Sequence, residues 1–172
     1  MPETPARIDA RRGRLEALYL SHAPAAAETA FLLTGDRHAA EDLVQEAFVR
    51  LAGRFHHVRN PEAFGAYLRQ TIVNLFFSQL RRRKVERAYL EREGRRPVET
   101  APEPPDVDGR EELWKALQRL PERQRAAVVL RFYEDLSEQQ TARVLRCSAA
   151  AAKSLVARGM ESLRLSVRSE TE

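Results

Sequence analysis

Apolar residues recur at intervals of three and four positions along most of this chain, whereas runs that alternate between apolar and polar residues are nearly absent. The first pattern places apolar side chains on one face of an α-helix. It begins near Leu15 and has one long interruption before the second half of the chain. We therefore predict an all-α fold of two small helical domains, joined by a flexible, acidic, proline-rich linker.

The start of the chain predicts two helical stretches. The first is one helix, or two helices interrupted near Pro24, because proline removes a backbone donor and crowds the preceding turn. Gly35 is suited to close it, since glycine readily adopts the left-handed conformation that ends helices. Asp36 is then placed to cap a second helix that runs to about Leu51.

The second predicted helix carries Asp42, Gln45 and Glu46, with Val49, opposite its apolar face. Acidic and amide side chains on an outer face are most simply explained by solvent exposure. The same group of residues is also suited to be a docking surface for another protein.

A third helix is predicted from Ala63 to about Lys84, and it is apolar over more than half of its circumference. It should therefore be the central helix of its domain. Its remaining stripe contains hydrogen-bonding groups, one aromatic ring and almost no acid: Tyr67, Gln70, Thr71, Asn74, Ser78 and Arg81. This stripe leads into a basic run formed by Arg81, Arg82, Arg83 and Lys84. Two interpretations remain open here: a surface for a nucleic-acid strand, or a solvated face whose basic last turn is favoured by the helix dipole.

Charge and proline content change abruptly after this helix. Residues 81–96 contain eight basic and three acidic side chains, whereas residues 97–112 contain six acidic and one basic side chain and four prolines. Low hydrophobicity with proline and charge of one sign is typical of an extended linker. We place the first domain at 12–90, the linker at 91–110 and the second domain at 111–168.

The second domain contains a predicted helix-turn-helix between Leu136 and Leu165. Ser137 and Gln140 have the spacing of a capping box at the start of the first helix. Arg146 and Cys147 form the turn, and Ser148 is suited to cap the second helix.

The second helix of this motif has a core face and an outer face. Small side chains near its start lie beside Lys153, Ser154 and Arg158 on the outer face. A helix that enters the major groove of DNA needs short residues for close approach and cations for phosphates or guanine edges. On this helix alone, a DNA-reading face and an ordinary solvated face are equally favoured.

Composition narrows the function only slightly. Twenty-nine Lys and Arg against 25 Asp and Glu give a net charge of +4 and a pI near 9.6, which weakly favours an acidic partner such as nucleic acid. The single cysteine cannot form an internal disulfide, and the four histidines have no metal-ligand spacing. We predict no cofactor, no metal and no membrane partner, and a cytoplasmic protein, because no signal-like or spanning apolar segment is present.

Several strings in this sequence, taken together and in order, resemble the extracytoplasmic-function class of bacterial RNA polymerase sigma factors. The strings are A-E-D-L-V-Q-E-A-F at 40–48, N-P-E-A-F-G-A-Y-L at 60–68, L-R-R-R at 80–83, L-P-E-R-Q-R-A at 120–126, E-D-L-S-E at 134–138 and C-S-x-x-x-x-K-S at 147–154. The resemblance covers roughly residues 15–165. It implies a non-catalytic subunit that binds core RNA polymerase and directs initiation at specific promoters.

The resemblance also implies roles for particular residues. Core polymerase, through the clamp of its largest subunit, would be contacted by Asp42, Gln45 and Glu46, and the polymerase flap is a further expected partner. A flipped base of the promoter -10 element would be held at Asn60. The opened -10 strand would be held by Tyr67, Gln70, Asn74, Arg81, Arg82 and Arg83. The -35 major groove would be entered by Ser148, Lys153, Ser154 and Arg158. An anti-sigma factor is a further candidate partner, and the protein would be nucleoid-associated in the holoenzyme.

This chain departs from the usual family pattern at three positions of the helix-turn-helix. Arg146 stands where glycine is usual, Thr141 where an aliphatic residue is usual, and Leu155 where arginine is common. The missing arginine removes a phosphate or base contact, so we expect weak -35 binding by the second domain alone.

Two other classes of function fit the sequence less well. A free-standing helix-turn-helix regulator would use the second domain on an operator, but the polar stripe of the third helix would then lack a purpose. An enzyme is disfavoured because Cys147, in the turn beside Ser148, is most simply a small packed residue. His22, His38, His56 and His57 have no triad spacing, and no glycine-rich phosphate loop occurs.

Overall fold

The computed structural model describes residues 5–54, 60–96 and 111–169, and all of its regular structure is helical. Seven α-helices occur in these ranges, with a short 3-10 turn at Pro61–Ala63 and a π-helical segment at Val129–Tyr133. The helices are α1 Pro5–Thr34, α2 Arg37–Arg54, α3 Phe64–Arg92, α4 Glu111–Arg119, α5 Glu122–Val128, α6 Glu138–Leu145 and α7 Ala149–Ser169. The predicted all-α fold is confirmed.

Helix α1 is continuous, so the single helix is confirmed and the alternative of two helices interrupted near Pro24 is wrong. The proline lies inside the helix and is exposed, where its ring faces away from the core. The helix needs to give up only one backbone hydrogen bond there. The next two turns bury Ala30 and Phe31 against the rest of the domain, and this packing holds both sides of the proline in one helix.

The junction between α1 and α2 forms as the sequence predicts. Gly35 adopts a left-handed conformation with φ of 73° and ends α1. The Oδ1 of Asp36 accepts a hydrogen bond of 2.8 Å from the backbone N–H of Ala39, which confirms Asp36 as the cap of α2. Helix α2 continues to Arg54, slightly beyond the predicted end at Leu51.

Helix α3 is longer than predicted, ending at Arg92 instead of near Lys84. The added residues are mostly long charged side chains with high helix propensity, and the first glycine is Gly94, which has a φ of 72°. The arginines at 81–83 therefore lie inside the helix. Interpreting them as a last turn favoured by the helix dipole is wrong. Most of the predicted linker, residues 97–110, lies outside the described residues.

The two halves of the chain pack directly against each other. In the first half, α1 and α2 enclose the apolar face of α3, where Phe64, Leu68 and Ile72 are buried. In the second half, α4 to α7 form a smaller bundle. Phe31 of α1 stacks on Trp114 of α4, with ring centroids 6.1 Å apart and ring planes 13° from parallel. One apolar core thus continues from the first domain into the second.

Polar groups of the second domain complete the C-terminal end of α1. Gln118 Nε2 donates to the Leu32 carbonyl over 3.1 Å, and Arg125 donates to the Leu33 carbonyl over 2.7 Å. These carbonyls have no partner within α1, because the last turn of a helix leaves its acceptors unused. A cation at this end also interacts favourably with the helix dipole.

Arg125 is the most deeply buried cation of the described residues, with 9% of its surface exposed. Its guanidinium also donates to the side-chain oxygen of Gln118 and to the carbonyls of Gln118 and Leu120. Burial lowers the pKa of Arg125, while the nearby negative charge of Glu122 opposes this effect. Several carbonyl acceptors thus compensate the guanidinium for its loss of water.

Candidate nucleic-acid and polymerase interfaces

The outer face of α2 is presented as the sequence predicts. Asp42 and Gln45 are exposed, Val49 is 72% exposed, and Leu43 on the opposite face is fully buried. Glu46 is half-buried and forms an i,i+4 ion pair with Arg50 at 2.6 Å. Because both members of this pair contact water, it contributes little to stability. The acidic face can therefore contact a partner without any rearrangement of the core.

The polar stripe of α3 differs along its length in accessibility. Tyr67 is 53% exposed, whereas Gln70 and Asn74 are half-buried. Gln70 Nε2 donates to Asn74 Oδ1 over 3.1 Å and to the backbone carbonyl of Val144 over 3.0 Å. Val144 belongs to α6, the first helix of the helix-turn-helix. The structure therefore brings the middle of the stripe into contact with the second domain, which the sequence did not predict.

The arginines at the end of the stripe, Arg81, Arg82 and Arg83, line two different clefts. Arg82 and Arg83 line a cleft of about 360 Å³ together with Asp36 and Asp42 of the α2 region. The acidic face of α2 and the basic part of α3 thus meet at one edge of the first domain.

Arg81 lines a second cleft, of about 300 Å³, at the seam between the domains. Arg123 and Arg146 of the second domain line its other side, and Asn74 lies in it as well. Arg123 also donates to the Leu145 carbonyl over 3.2 Å. The residues that line this cleft include cations and no carboxylate, so its electrostatic potential favours anions.

Asn60 lies at the start of the 3-10 turn that leads into α3. Its side-chain Oδ1 accepts from the Glu62 N–H over 3.0 Å, and its carbonyl accepts from the Ala63 N–H over 3.1 Å. The residue is exposed. Residues 55–59, the rest of the predicted base-binding loop, lie outside the described residues.

The helix-turn-helix forms with the local geometry that its sequence predicts. The Ser137 hydroxyl accepts from the Gln140 N–H over 3.2 Å, and Gln140 Oε1 accepts from the Ser137 N–H over 2.8 Å, which is a complete capping box. Arg146 makes the turn in the left-handed conformation, with φ of 52° and ψ of 51°. The Ser148 hydroxyl accepts from the Ala151 N–H over 3.1 Å and so caps α7.

Helix α7 divides into the two predicted faces. Lys153, Ser154 and Arg158 are exposed, whereas Ala152 and Leu163 are buried. The core face includes Ala152, Leu155, Val156, Gly159, Met160 and Leu163. Leu155, which stands where the family often has arginine, is half-buried and packs on the apolar core. The outer face is therefore available to DNA, but with two cations in its central part.

Gly159 sets how closely α7 crosses α5. A Cβ at this position would lie 2.7 Å from a methyl group of Val128 and 3.4 Å from the carbonyl oxygen of Gln124. The absence of a side chain allows the two helices to approach. This close contact thus packs α7, the helix that carries Lys153 and Arg158, against α5.

Thr141 is fully buried in α6, where the family usually has an aliphatic residue. Its hydroxyl has no hydrogen-bond partner among the residues that the structure describes. A buried polar group without a partner is unfavourable. The departure at this position therefore affects stability and not a DNA contact.

Sequence reasoning missed the role of Glu134. This residue follows the π-helical segment, and its carboxylate accepts from Arg69 Nε over 2.7 Å and from the Thr29 hydroxyl. Arg69 and Thr29 belong to the first domain, on α3 and α1. No local pattern marks these three residues, because their partners come from distant parts of the chain.

Within the ranges 5–54, 60–96 and 111–169, no group of His, Cys, Asp and Glu side chains is arranged to hold a metal ion. No helix in these ranges is long and apolar enough to cross a membrane. Cys147 is half-buried with a free thiol and packs against the core, as expected for a small packed residue.

Comparisons with known families and structures agree with the two-part organisation. The sigma-70 region 2 family matches residues 18–86, and the sigma-70 region 4 family matches residues 110–163. The RNA polymerase sigma-E factor of Streptomyces coelicolor is 34% identical over 138 residues, which cover 77% of this chain and 73% of that protein.

Two further relatives extend the comparison. The ECF RNA polymerase sigma factor SigE of Mycolicibacterium smegmatis is 34% identical over 154 residues, and the match spans 86% of this chain and 59% of that protein. The sigma factor RpoE of Bartonella quintana, solved in complex with the anti-sigma factor NepR, has a TM-score of 0.74 and 26% identity. That match covers 89% of this chain and 96% of the RpoE chain.

Proposed function

Because this chain belongs to the extracytoplasmic-function class of RNA polymerase sigma factors, we propose that its two domains act at the two promoter elements of one initiation complex. Sigma factors are non-catalytic subunits that bind core RNA polymerase and promoter DNA. The first domain, residues 12–90, would bind polymerase and the -10 element. The second, residues 111–168, would bind the -35 element. The protein would act in the cytoplasm, nucleoid-associated when in the holoenzyme.

Polymerase binding is assigned to the acidic face of α2. Asp42 and Gln45 are exposed beside the half-buried Glu46, on a helix whose opposite face is buried. Such a face can bind the clamp of the largest subunit without a change in the core. Opposite charges on the two surfaces would accelerate association and fix its register.

The -10 strand is assigned to the outer stripe of α3. Tyr67 offers an exposed ring on which a base can stack, and Gln70 and Asn74 offer donors and acceptors for base edges. Farther along the helix, Arg81, Arg82 and Arg83 offer cations for the phosphate backbone. Asn60, exposed at the start of the 3-10 turn, would hold the flipped base, since extruded bases are read by hydrogen bonds in a pocket.

The -35 element is assigned to the outer face of α7. Ser148 caps the start of this helix, where a DNA phosphate can accept from the free backbone amides. Lys153 and Arg158 project from the exposed face, with Ser154 between them. The face has fewer cations than usual in the family, because Leu155 stands where arginine is common. Contacts at -10 would then supply much of the promoter selectivity.

The observation that carries this proposal is the occurrence of both family regions in order, each on a domain with its expected surface exposed or at the domain seam. The test is transcription in vitro with purified core polymerase on genomic fragments, with and without the chain. We expect promoter-specific transcripts only when both are present. If core polymerase neither binds the chain nor gains specific transcripts, the proposal is wrong. A free-standing regulator, in contrast, would bind DNA without polymerase.

A further inference from the structure

Three arginines from separate parts of the chain line one cleft at the seam between the domains. Asn74, Phe77 and Arg81 reach it from α3, where positions three and four apart share one face of the helix. Arg123, in the first turn of α5, and Arg146, in the turn of the helix-turn-helix, reach it from the other side. The cleft has a volume of about 300 Å³, at the small end of the range for small-molecule sites.

The positive charge of this cleft is not neutralised within the described ranges of the chain. None of Arg81, Arg123 and Arg146 forms an ion pair with a carboxylate there. Arg50 and Arg69, in contrast, are paired with glutamates. An anion that enters the cleft therefore meets guanidinium charge that no acidic side chain already compensates.

The polar groups that the cleft offers are mainly donors. The carbonyl of Val144 already accepts from Gln70 over 3.0 Å, and that of Leu145 accepts from Arg123 over 3.2 Å. The Oδ1 of Asn74 accepts from Gln70, so the amide NH2 group of Asn74 remains to donate. Guanidinium groups have only donors, and they bind phosphate oxygens through two parallel hydrogen bonds.

Arg123 is held in place before any ligand binds. Its guanidinium carbon lies 5.7 Å from the centre of the Phe77 ring, and the group also donates to the Leu145 carbonyl. A cation over an aromatic face is stabilised by the ring. A side chain that is already fixed loses less conformational freedom when it binds a ligand.

Arg146 has a backbone conformation that is unfavourable for it. Its φ of 52° and ψ of 51° lie in the left-handed region, where a Cβ crowds the backbone. Glycine, the usual residue of the family here, makes such a turn without this strain. The turn therefore does not explain the arginine, whereas the cleft gains a third guanidinium from it. Strained residues of this kind cluster at binding sites.

The arrangement of the cations favours a diphosphate group over a single phosphate. Guanidinium groups lie on both walls of the cleft, and a diphosphate has two phosphoryl groups with which to contact them. A nucleic-acid strand fits this site less well. Grooves for single strands follow at least about four nucleotides, whereas this cleft lies between two packed domains.

We propose that the cleft formed by Arg81, Arg123 and Arg146 binds a diphosphate group, either as inorganic diphosphate or as the diphosphate of a nucleotide. The amide of Asn74 donates a further hydrogen bond to it. This site goes beyond the promoter and polymerase contacts proposed above and does not depend on them.

Isothermal titration calorimetry of the full chain with inorganic diphosphate tests the site. Divalent cations are left out, because they bind diphosphate themselves. We expect saturable binding with a Kd below about 1 mM. It should be at least about tenfold tighter than that of inorganic phosphate at the same ionic strength, because more charge-assisted hydrogen bonds form. Titration with ADP distinguishes the two sources: tighter binding than inorganic diphosphate identifies a nucleotide, and equal or weaker binding identifies the diphosphate group alone.

Arg146→Gly and Arg81→Gln remove one cation from each wall. Each should weaken diphosphate binding about tenfold, because hydrogen bonds between charged groups are lost. Arg146→Gly should not lower the Tm of the free protein, since glycine adopts the left-handed conformation without strain. The matched controls are Arg143→Ala and Arg82→Gln, which make the same charge change on exposed arginines of α6 and α3 outside the cleft. Both controls should bind diphosphate like the parent.

A parent chain that binds diphosphate no better than phosphate would overturn the proposal. Equal losses in the cleft variants and the controls would also overturn it, because net charge alone would then attract the anion. If Arg146→Gly lowers the Tm, Arg81→Gln decides, since Arg81 is exposed on α3 and unchanged affinity in that variant contradicts the site. If a single-stranded oligonucleotide loses affinity in Arg146→Gly while diphosphate does not bind the parent, the cleft is a nucleic-acid contact and the proposal is wrong. Transcription with core polymerase tests the proposed function separately from all of these outcomes.

Discussion

Arg69 and Glu134 are 65 positions apart in the sequence, yet they form an ion pair of 2.7 Å that joins the first domain to the second. Thr29, from a third part of the chain, donates to the same carboxylate. Through Glu134, the residue after the π-helical segment, the second domain thus contacts both α1 and α3. It holds the helix-turn-helix against the face of α3 that is proposed to bind DNA.

The acidic face of α2 offers the most direct test of polymerase binding. The double variant Asp42→Arg and Glu46→Arg should abolish binding to core polymerase, because it reverses two charges on the proposed contact. Helicity and Tm should change little, since Asp42 is exposed and Glu46 takes part only in a surface pair. Co-purification and circular dichroism measure the two effects.

A variant with the same charge change elsewhere provides the control. Glu16→Arg with Glu91→Arg alters two exposed residues on α1 and near the end of α3. This protein should bind core polymerase like the parent. If the Asp42→Arg and Glu46→Arg variant also binds core polymerase like the parent, the contact lies on another face.

The two cations of α7 should have different roles in -35 recognition. If Arg158 reads a guanine edge, Arg158→Ala should cost roughly 1 to 3 kcal/mol at one -35 position and relax specificity there. If Lys153 contacts only phosphate, Lys153→Ala should weaken binding to all sequences alike and reduce the salt slope by about one. Neither change should open a cavity, because both side chains are exposed.

Holoenzyme binding to promoter duplexes across salt concentrations measures these effects. A promoter with a scrambled -35 element is the reference, because on it only the phosphate contact should still matter. Variants at both positions that bind every duplex like the parent would remove the assignment of α7 as the recognition helix.

Thr141→Val should stabilise the protein. The Thr141 hydroxyl is buried and has no hydrogen-bond partner among the described residues, while valine has almost the same shape without the polar atom. The expected gain in the free energy of unfolding is about 1 kcal/mol. Urea denaturation measures it. Thr71→Val is the control, because the Thr71 hydroxyl donates to the Tyr67 carbonyl and its removal should bring no gain. A loss of stability on Thr141→Val would mean that the hydroxyl has a partner.

Gly35→Ala should destabilise the contact between the domains. The backbone there is left-handed, and a Cβ would lie 2.5 Å from the side-chain oxygen of Gln118. Gln118 would have to move, although it donates to the Leu32 carbonyl and accepts from Arg125. The expected cost is about 1 kcal/mol for the left-handed alanine, plus the cost of the displaced amide.

Gly94→Ala separates these two contributions. Gly94 has nearly the same conformation, with φ of 72°, and a Cβ there meets nothing within 4 Å. Its variant should therefore show only the backbone cost in thermal unfolding. Equal losses for the two alanine variants would mean that the Gln118 contact contributes nothing to stability.

The sequence alone determined the features that depend on neighbours within about four residues. Asp36 caps α2, Ser137 and Gln140 form a capping box, and Arg146 makes the turn, because each of these contacts closes inside one helical turn. The outer residues of α2 and α7 were identified correctly for the same reason: a period of 3.6 residues fixes which side chains share a face.

Local sequence patterns were a poorer guide to where a helix is interrupted or ends. Pro24 left open whether α1 is one helix or two, and the basic run after Leu80 indicated the end of α3, but both helices continue. For α1, the buried turn after Pro24 holds the helix together. For α3, charged residues with high helix propensity continue it to Gly94.

Only the tertiary structure decided how the two domains meet. The partners that Glu134, Gln70 and Arg125 have in the other domain lie 65 or more positions away in the sequence, and no periodicity links positions so far apart. The pattern on α3 predicted a polar stripe suited to DNA but could not indicate that its middle lies against Val144. That contact depends on the shape of two packed domains, which forms only when both are folded and their apolar surfaces join in one core.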